Sequence, residues 1–157
     1  ILKLMNIKNF HLVGVDVFIR KKNRLAIKKN NLSKHITLYE KNSTDLTLHS
    51  KLKKKYFSDN HPKLIILDSN HTKEHVLNEL NLYSNVLKKN DYIVVMDTVI
   101  EFINQKFNEG KNFKKNNSPY NAVENFLKNN NKFKVDRRYE DKSYITVAKN
   151  GFLKKIK

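Results

Sequence analysis

Two short apolar runs, each leading into an aspartate, constrain the fold of this chain most. Residues 64–67 precede Asp68 and residues 92–96 precede Asp97, with one helix-length segment between the runs. Continuous apolar runs of this length are typical of strands covered on both faces in a parallel sheet. Parallel strands end at one edge, where ligands bind, and neighbouring strands lie about 4.8 Å apart. We therefore expect the carboxylates of Asp68 and Asp97 to converge on one cation or polar ligand.

Hydrophobic periodicity predicts that strands and helices alternate along most of the chain. Strands are predicted at residues 12–19, 36–40, 64–67 and 92–96, and helices at residues 24–30, 44–57, 72–87 and from Ser118-Pro119 onward. Ser43 or Thr44 is the predicted cap of the second helix. Residues 1–9 are predicted to end a helix, residues 98–117 to form a long loop, and residues 133–135 and 144–148 to pair as strands across a charged turn. This order predicts an α/β fold with a mostly parallel sheet and one antiparallel edge strand.

The composition narrows the class of protein. A chain of 157 residues is long enough for one domain, and the absence of cysteine excludes disulfides and is compatible with a cytoplasmic protein. The formal net charge is +17, but only four of the 32 basic residues are arginine, and the lysines are spread along the chain. We interpret them as a solvated surface rather than a specific nucleic-acid site. Peripheral contact with an anionic membrane stays open, whereas the apolar runs are too short for a transmembrane segment.

A family resemblance rests on segments spread over nearly the whole chain. They lie at residues 15–20, 42–45, 66–76, 94–101 and 151–154, and the pattern Asp-Ser-x-His-x-x-x-His-Val that starts at Asp68 is the most specific. With these segments the chain resembles the cephalosporin hydroxylase / rhamnosyl O-methyltransferase family. The resemblance implies a Rossmann-like class I methyltransferase fold. It also implies O-methylation, with S-adenosylmethionine as the cofactor, of a hydroxyl on a saccharide, glycolipid or related metabolite. Some members of the family use a divalent metal ion, for which Mg²⁺ is the candidate here.

The resemblance also implies roles for individual residues. Asp16 would bond the ribose hydroxyls of the cofactor, because a carboxylate can accept from two adjacent O–H donors. Ser43 would lie near the adenine. Asp68 and Asp97 would be ligands of Mg²⁺, which prefers carboxylate oxygens.

Two further side chains complete the predicted catalytic site. Some relatives place an acidic pair where this chain has Met96 and Asp97, and Glu101 is a candidate to replace the missing carboxylate. His71, close to Asp68 in the sequence, is a candidate general base. The loop at residues 98–117 is predicted to lie on the acceptor side of the site.

The positions of the glycines indicate that these 157 residues lack one part of the methyltransferase fold. A methyltransferase of this class needs a first strand followed by a glycine-rich turn at the cofactor. The three glycines are Gly14 inside a predicted strand, Gly110 in the long loop and Gly151 near the end of the chain. None of them is placed to form that turn. We therefore interpret residues 1–157 as one incomplete methyltransferase domain that lacks the first strand and the turn.

Two rival interpretations remain. Residues 71–75 match H-x-x-E-H, the inverted zinc-protease pattern, but His71 falls at the junction of strand and helix, before a full helical turn exists. The residues therefore favour a structural role for His75. As an alternative function, the chain is a non-catalytic doubly wound module that binds a nucleotide or an anionic partner through its lysines.

Overall fold

The computed structural model describes residue 7, residues 9–104, residue 106 and residues 114–157. The chain divides into two compact units, Ile1–Leu48 and His49–Lys157. A helix at residues 1–9 stays a prediction, because seven of those nine residues lie outside the described part. One domain spanning the whole chain is likewise still a prediction. None of the described helices has the length and apolar character needed to cross a membrane.

The first unit contains a βαβ arrangement. Strand β1 (Leu12–Asp16) is followed by helix α1 (Lys21–Lys29), a short 3₁₀ turn (Ser33–His35) and strand β2 (Ile36–Glu40). The two strands pair in parallel, with Asp16 opposite Glu40 at their carboxyl ends. Strand β1 is shorter than the predicted run of residues 12–19, and Val17 and Phe18 are exposed beyond its end.

Helix α2 (Leu46–Tyr56) begins slightly later than the sequence predicted. Its first turn is capped by Asp45, whose carboxylate accepts a hydrogen bond from the Leu48 amide at 2.8 Å. The prediction of Ser43 or Thr44 as the cap was therefore wrong. Aspartate caps a helix in the same way as serine or threonine, so the sequence allowed all three residues.

The second unit is a mixed sheet flanked by helices. Its elements are β3 (Leu64–Leu67), α3 (Lys73–Ser84), β4 (Tyr92–Val95), a 3₁₀ helix (Thr98–Phe102), α4 (Pro119–Asn129), β5 (Phe133–Val135), α5 (Arg138–Ser143) and β6 (Phe152–Lys155). The strand order is β3-β4-β6-β5. Strands β3 and β4 are parallel, and β6 is antiparallel to both β4 and β5. The predicted α/β class, with parallel strands and one antiparallel strand towards an edge, is confirmed.

The two apolar strands of this unit differ in how they are covered. Three of the four residues of β4 are buried, and Ile93 and Val95 are completely inaccessible to solvent. In β3, by contrast, Leu64 is 63% exposed and Ile66 59% exposed, while Leu67 is buried. The expectation that both strands are covered on both faces therefore holds for β4 and is wrong for β3.

The chain after β5 corrects a second prediction. Residues predicted as a charged turn form α5, and the strand predicted at residues 144–148 lies instead at β6. Asp136 sets the start of this helix, because its carboxylate accepts hydrogen bonds from the Arg138 backbone at 3.3 Å and from the Arg138 guanidinium at 2.6 and 2.8 Å. The same carboxylate accepts the Tyr92 hydroxyl at 2.7 Å. Tyr92 is on β4, so this contact ties α5 to the sheet.

The segment predicted as a long loop is structured at both ends. Thr98–Phe102 forms the 3₁₀ helix, and Lys114 and Asn117 close a turn by backbone hydrogen bonds. Residues 105 and 107–113 lie outside the described part of the chain. Helix α4 starts at Pro119 as predicted, and the Ser118 amide before it donates to Asn121 Oδ1 at 3.1 Å.

Candidate active site

Strands β3 and β4 bring two aspartates to one edge of the sheet. Leu67 pairs with Val95 in the parallel register, and the Met96 amide donates to the Leu67 carbonyl at 2.9 Å just beyond it. Asp68 follows β3 directly, and Asp97 follows β4 after Met96. The predicted convergence of the two carboxylates is thus a direct consequence of the strand register.

His71 joins the two aspartates. Its Nε2 atom lies 3.5 Å from Asp68 Oδ1 and 3.1 Å from Asp97 Oδ2. One ligand atom from each of the three side chains lies within 4.8 Å of the other two. The side chains of His71, Asp97 and Asp68 are 24%, 31% and 60% exposed, so the group faces solvent. We call Asp68, His71 and Asp97 the acid–histidine cluster.

Asp97 is held in an uncommon backbone conformation. Its φ is 56° and its ψ is 22°, in the left-handed region where residues other than glycine are infrequent. The next residue, Thr98, is completely buried, and its hydroxyl donates to the Lys149 carbonyl at 2.7 Å. Strained backbone of this kind persists only where the surroundings fix it, and it concentrates at functional sites. The anchored Thr98 provides that support immediately beside Asp97.

His71 is fixed by the loop that leads into α3. Asn70 Oδ1 accepts a hydrogen bond from the Thr72 amide at 3.1 Å, which tightens the turn around His71. Asn117 Oδ1 accepts from the Lys73 amide, also at 3.1 Å, and so satisfies a free amide in the first turn of α3. The start of α3 is therefore connected to the turn that precedes α4.

The two histidines of the H-x-x-E-H pattern face different acids. His71 contacts Asp68 and Asp97, whereas His75 Nε2 lies 3.5 Å from Glu79 Oε1. Among the described residues, the acid–histidine cluster is the only group of three potential ligands with metal-binding spacing, and it excludes His75. The geometry agrees with the structural role predicted for His75 and does not form the zinc-protease site.

Glu101 is not a member of the acid–histidine cluster. One of its carboxylate oxygens accepts the Ser118 hydroxyl at 2.7 Å and the Asn116 amide at 3.1 Å. Glu101 is also outside the group of potential ligands found among the described residues. The structure thus brings together Asp68, His71 and Asp97 but not Glu101. Ligation of a metal by Glu101 is a prediction that this arrangement does not support.

A cavity of about 590 Å³ opens beside Glu101. Two aromatic rings line it, Phe102 and Tyr120, with their centroids 4.8 Å apart and their planes at 78°. Polar side chains complete the lining, among them Asn104, Asn121 and Glu124. Such a combination of rings, amides and carboxylates suits a ligand with both apolar faces and hydroxyl groups.

The predicted cofactor residues lie in the first unit. Asp16 ends β1, is exposed, and accepts a hydrogen bond from the Phe18 amide at 3.0 Å through Oδ1. Ser43 lies in the turn between β2 and α2, where Asn42 Oδ1 accepts from the Thr44 amide at 3.0 Å. Their predicted roles towards the cofactor remain predictions.

Two further acids, one in each unit, were missed by the sequence analysis. Glu40 lies opposite Asp16, and its carboxylate accepts from Arg24 at 2.9 Å and from the Ile19 amide at 3.2 Å. Glu79 is buried in α3, 1% exposed. The signal for Glu79 was its spacing, since it lies three residues after Val76 and four before Tyr83 on the apolar stripe of the helix.

The donor chemistry of the acid–histidine cluster fits a divalent cation. Two carboxylates and one imidazole are ligands that Mg²⁺ or Mn²⁺ accepts, with waters or a substrate oxygen completing the shell. The ligand atoms lie close enough together to share one ion. Because the side chains are partly exposed, exchangeable ligands can also reach that ion. The residues present are therefore compatible with the predicted metal.

Comparison with known proteins identifies the family. The family model of rhamnosyl O-methyltransferase/CmcI matches residues 1–156, so the chain belongs to this family. The resemblance predicted from the sequence segments is confirmed. None of the curated proteins compared with the chain matches it.

Among solved structures, the chain is similar to the MycE methyltransferase of the mycinamycin biosynthetic pathway, in complex with Mg, SAH and mycinamycin VI. The identity is 12% and the TM-score 0.49, and the alignment covers 74% of this chain. It covers 28% of the MycE chain, so the present chain corresponds to less than a third of that protein.

Proposed function

We propose that the protein is an S-adenosylmethionine-dependent O-methyltransferase that acts on a hydroxyl of a saccharide, glycolipid or related metabolite. The observation that carries the proposal is the convergence of Asp68, His71 and Asp97 at the carboxyl ends of parallel strands. In a chain that belongs to the rhamnosyl O-methyltransferase/CmcI family, this is the position expected for the reacting groups.

The acid–histidine cluster would hold a divalent cation and receive the acceptor hydroxyl. Asp68 and Asp97 supply negative charge, and His71 between them either completes the ligand set or takes the proton from the hydroxyl. When bound, the metal ion would lower the pKa of the acceptor hydroxyl, and S-adenosylmethionine would supply an electrophilic methyl group. In the transfer, the acceptor hydroxyl would give its proton to His71 or, where His71 is a metal ligand, to solvent, and its oxygen would take the methyl group as the methyl–sulfur bond breaks and leaves a neutral thioether.

Cofactor binding is assigned to the first unit. The exposed carboxylate of Asp16 would accept the two ribose hydroxyls, and Ser43 would lie near the adenine. One oxygen of Asp16 already accepts from the Phe18 amide, which fixes the orientation of the carboxylate at the strand end. A fixed orientation favours bidentate acceptance because little side-chain entropy is lost on binding.

The acceptor is assigned to the cavity beside Glu101. Phe102 and Tyr120 offer ring surface for the apolar face of a sugar, and Asn104, Asn121 and Glu124 offer hydrogen-bond partners for its hydroxyls. The cavity adjoins the 3₁₀ helix that starts directly after Asp97. The acceptor-side role was predicted for residues 98–117, and we propose it here for the described residues of that segment.

Calorimetric titration tests the proposal. In a chain extended upstream to supply the predicted first strand and turn, S-adenosylmethionine should bind, Asp16→Ala should remove this binding, and the matched control Asp141→Ala should preserve it, because Asp141 is an exposed acid in α5. Transfer of labelled methyl groups to saccharide acceptors should depend on Asp68. Absence of cofactor binding, combined with strongly salt-dependent association with polyanions, would favour the non-catalytic module instead.

A further inference from the structure

Glu79 is a carboxylate buried in the apolar face of α3. Its side chain is 2% exposed, and Oε1 accepts the Ser69 hydroxyl at 2.8 Å. His75 Nε2 lies 3.5 Å from the same oxygen. Oε2 is buried and has no hydrogen-bond partner within the part of the chain that the structure describes. Burial of a carboxylate with an unsatisfied oxygen is costly, so its presence calls for a specific explanation.

Ser69 connects this carboxylate to the acid–histidine cluster. It follows Asp68 directly in the chain and precedes His71 by two residues. The hydrogen bond between Ser69 and Glu79 therefore attaches the loop carrying two of the three cluster members to α3. Asp68 is 60% exposed, so burial of its own side chain does little to hold it in place.

We infer that Glu79 is a positioning residue that holds Asp68 and His71 at the separation needed to bind a divalent cation, acting through Ser69. A leucine or methionine would fill the same space in α3 without the desolvation cost, but it could not accept the Ser69 hydroxyl. Partners outside the ligand shell orient ligands in this way in many metal sites. The inference rests on the proposed function for the role of the metal, but not for the geometry of the loop.

Two readouts on the same variants test the inference. The first is the affinity for Mn²⁺, used as a spectroscopic substitute for Mg²⁺ and measured by calorimetry and paramagnetic resonance. The second is the NMR chemical shift of the His71 ring in metal-free protein, assigned with His71→Gln. The variants are Ser69→Ala, Glu79→Met, their double variant and Glu79→Gln. The control is Phe133→Leu, a core substitution on β5, at the opposite edge of the sheet from β3.

We expect Ser69→Ala and Glu79→Met each to lower the Mn²⁺ affinity about 10–100-fold and to shift the His71 resonances. The double variant should lose no more than the worse single variant, because both changes break the same hydrogen bond. Glu79→Gln should restore both readouts, since its amide oxygen still accepts from Ser69. Phe133→Leu should lower the melting temperature and leave both readouts unchanged.

The inference is overturned if Ser69→Ala leaves the His71 resonances unchanged, or if Glu79→Gln is as damaging as Glu79→Met. If the wild-type protein binds no Mn²⁺, the metal part of the proposed function fails. The His71 shifts then still decide whether Glu79 sets the geometry of the loop.

Discussion

Nε2 of His71 lies 3.1 Å from Oδ2 of Asp97, although one residue follows β3 and the other follows β4. Only the parallel pairing of the two strands brings their loops together. With Asp68 Oδ1 3.5 Å from the same nitrogen, one imidazole faces two carboxylates. With a metal ion bound, the three side chains would form a ready-made set of ligands.

Replacement of Asp97 should weaken metal binding more than any change outside the acid–histidine cluster. Asp97→Asn keeps the shape of the side chain but removes one negative charge and an anionic ligand. We expect the Mn²⁺ affinity to fall by more than the roughly 10–100-fold typical of changes outside the ligand shell, measured by calorimetry, with little change in melting temperature. Glu74→Gln is the matched control, because Glu74 is an exposed acid in the first turn of α3 and lies outside the cluster. Equal losses in the two variants would point to a general effect of charge.

A substitution in the cavity beside Glu101 should weaken binding of the acceptor and leave metal binding unchanged. Tyr120→Leu removes a ring that lines the cavity and contacts Phe102. We expect the KM for a saccharide acceptor to rise roughly tenfold, equivalent to the loss of about 1–1.5 kcal/mol of aromatic contact, while kcat and the Mn²⁺ affinity stay near wild type. A fall in kcat with no change in KM would place the acceptor elsewhere.

Gly151 should not tolerate a side chain. A Cβ atom at this position would lie 2.2 Å from the Val95 carbonyl oxygen, which is backbone and cannot move without disturbing β4. Gly151→Ala should therefore lower the free energy of unfolding by about 1–3 kcal/mol or more, as measured by urea denaturation. Gly14→Ala is the control, because its Cβ would meet only the end of the Leu38 side chain, at 2.9 Å. The assignment of β4 and β6 as neighbours would be contradicted if Gly151→Ala were the milder change.

Asp136 should make the stability of the protein depend on pH in the acid range. Hydrogen bonds from Arg138 and, to a smaller extent, from Tyr92 hold the pKa of the Asp136 carboxyl well below its usual range. Since the folded-state pKa is the lower one, this stabilisation is present above the unfolded pKa of about 3.9 and is lost as the pH falls towards the folded value.

Asp136→Asn removes this ionisation. We expect the variant to be about 1–3 kcal/mol less stable than wild type near neutral pH, with the gap shrinking as the pH falls below about 4. Urea denaturation across that pH series measures the gap. Asp141→Asn is the control, and a gap between wild type and Asp136→Asn that does not vary with pH would refute the ionic role of Asp136.

Local patterns determined much of this molecule. The apolar runs before Asp68 and Asp97, separated by a helix, already predicted two adjacent parallel strands and the meeting of their terminal acids. Ser118-Pro119 predicted the start of α4, because proline at the first turn of a helix loses no hydrogen bond. These signals depend on residues close together in the chain, so they can be read without the fold.

Tertiary structure decided which of two C-terminal segments became a strand. Residues 144–148 have the higher β-propensity, yet Ile145 is 90% exposed, whereas Leu153 of β6 is fully buried between β4 and β5. Packing against neighbouring strands outweighs propensity in a strand this short. Tertiary structure also decided the roles of Glu101 and Glu79. Their hydrogen-bond partners, Ser118 and Ser69, lie 17 and 10 residues away in the chain, so local sequence patterns do not encode these contacts.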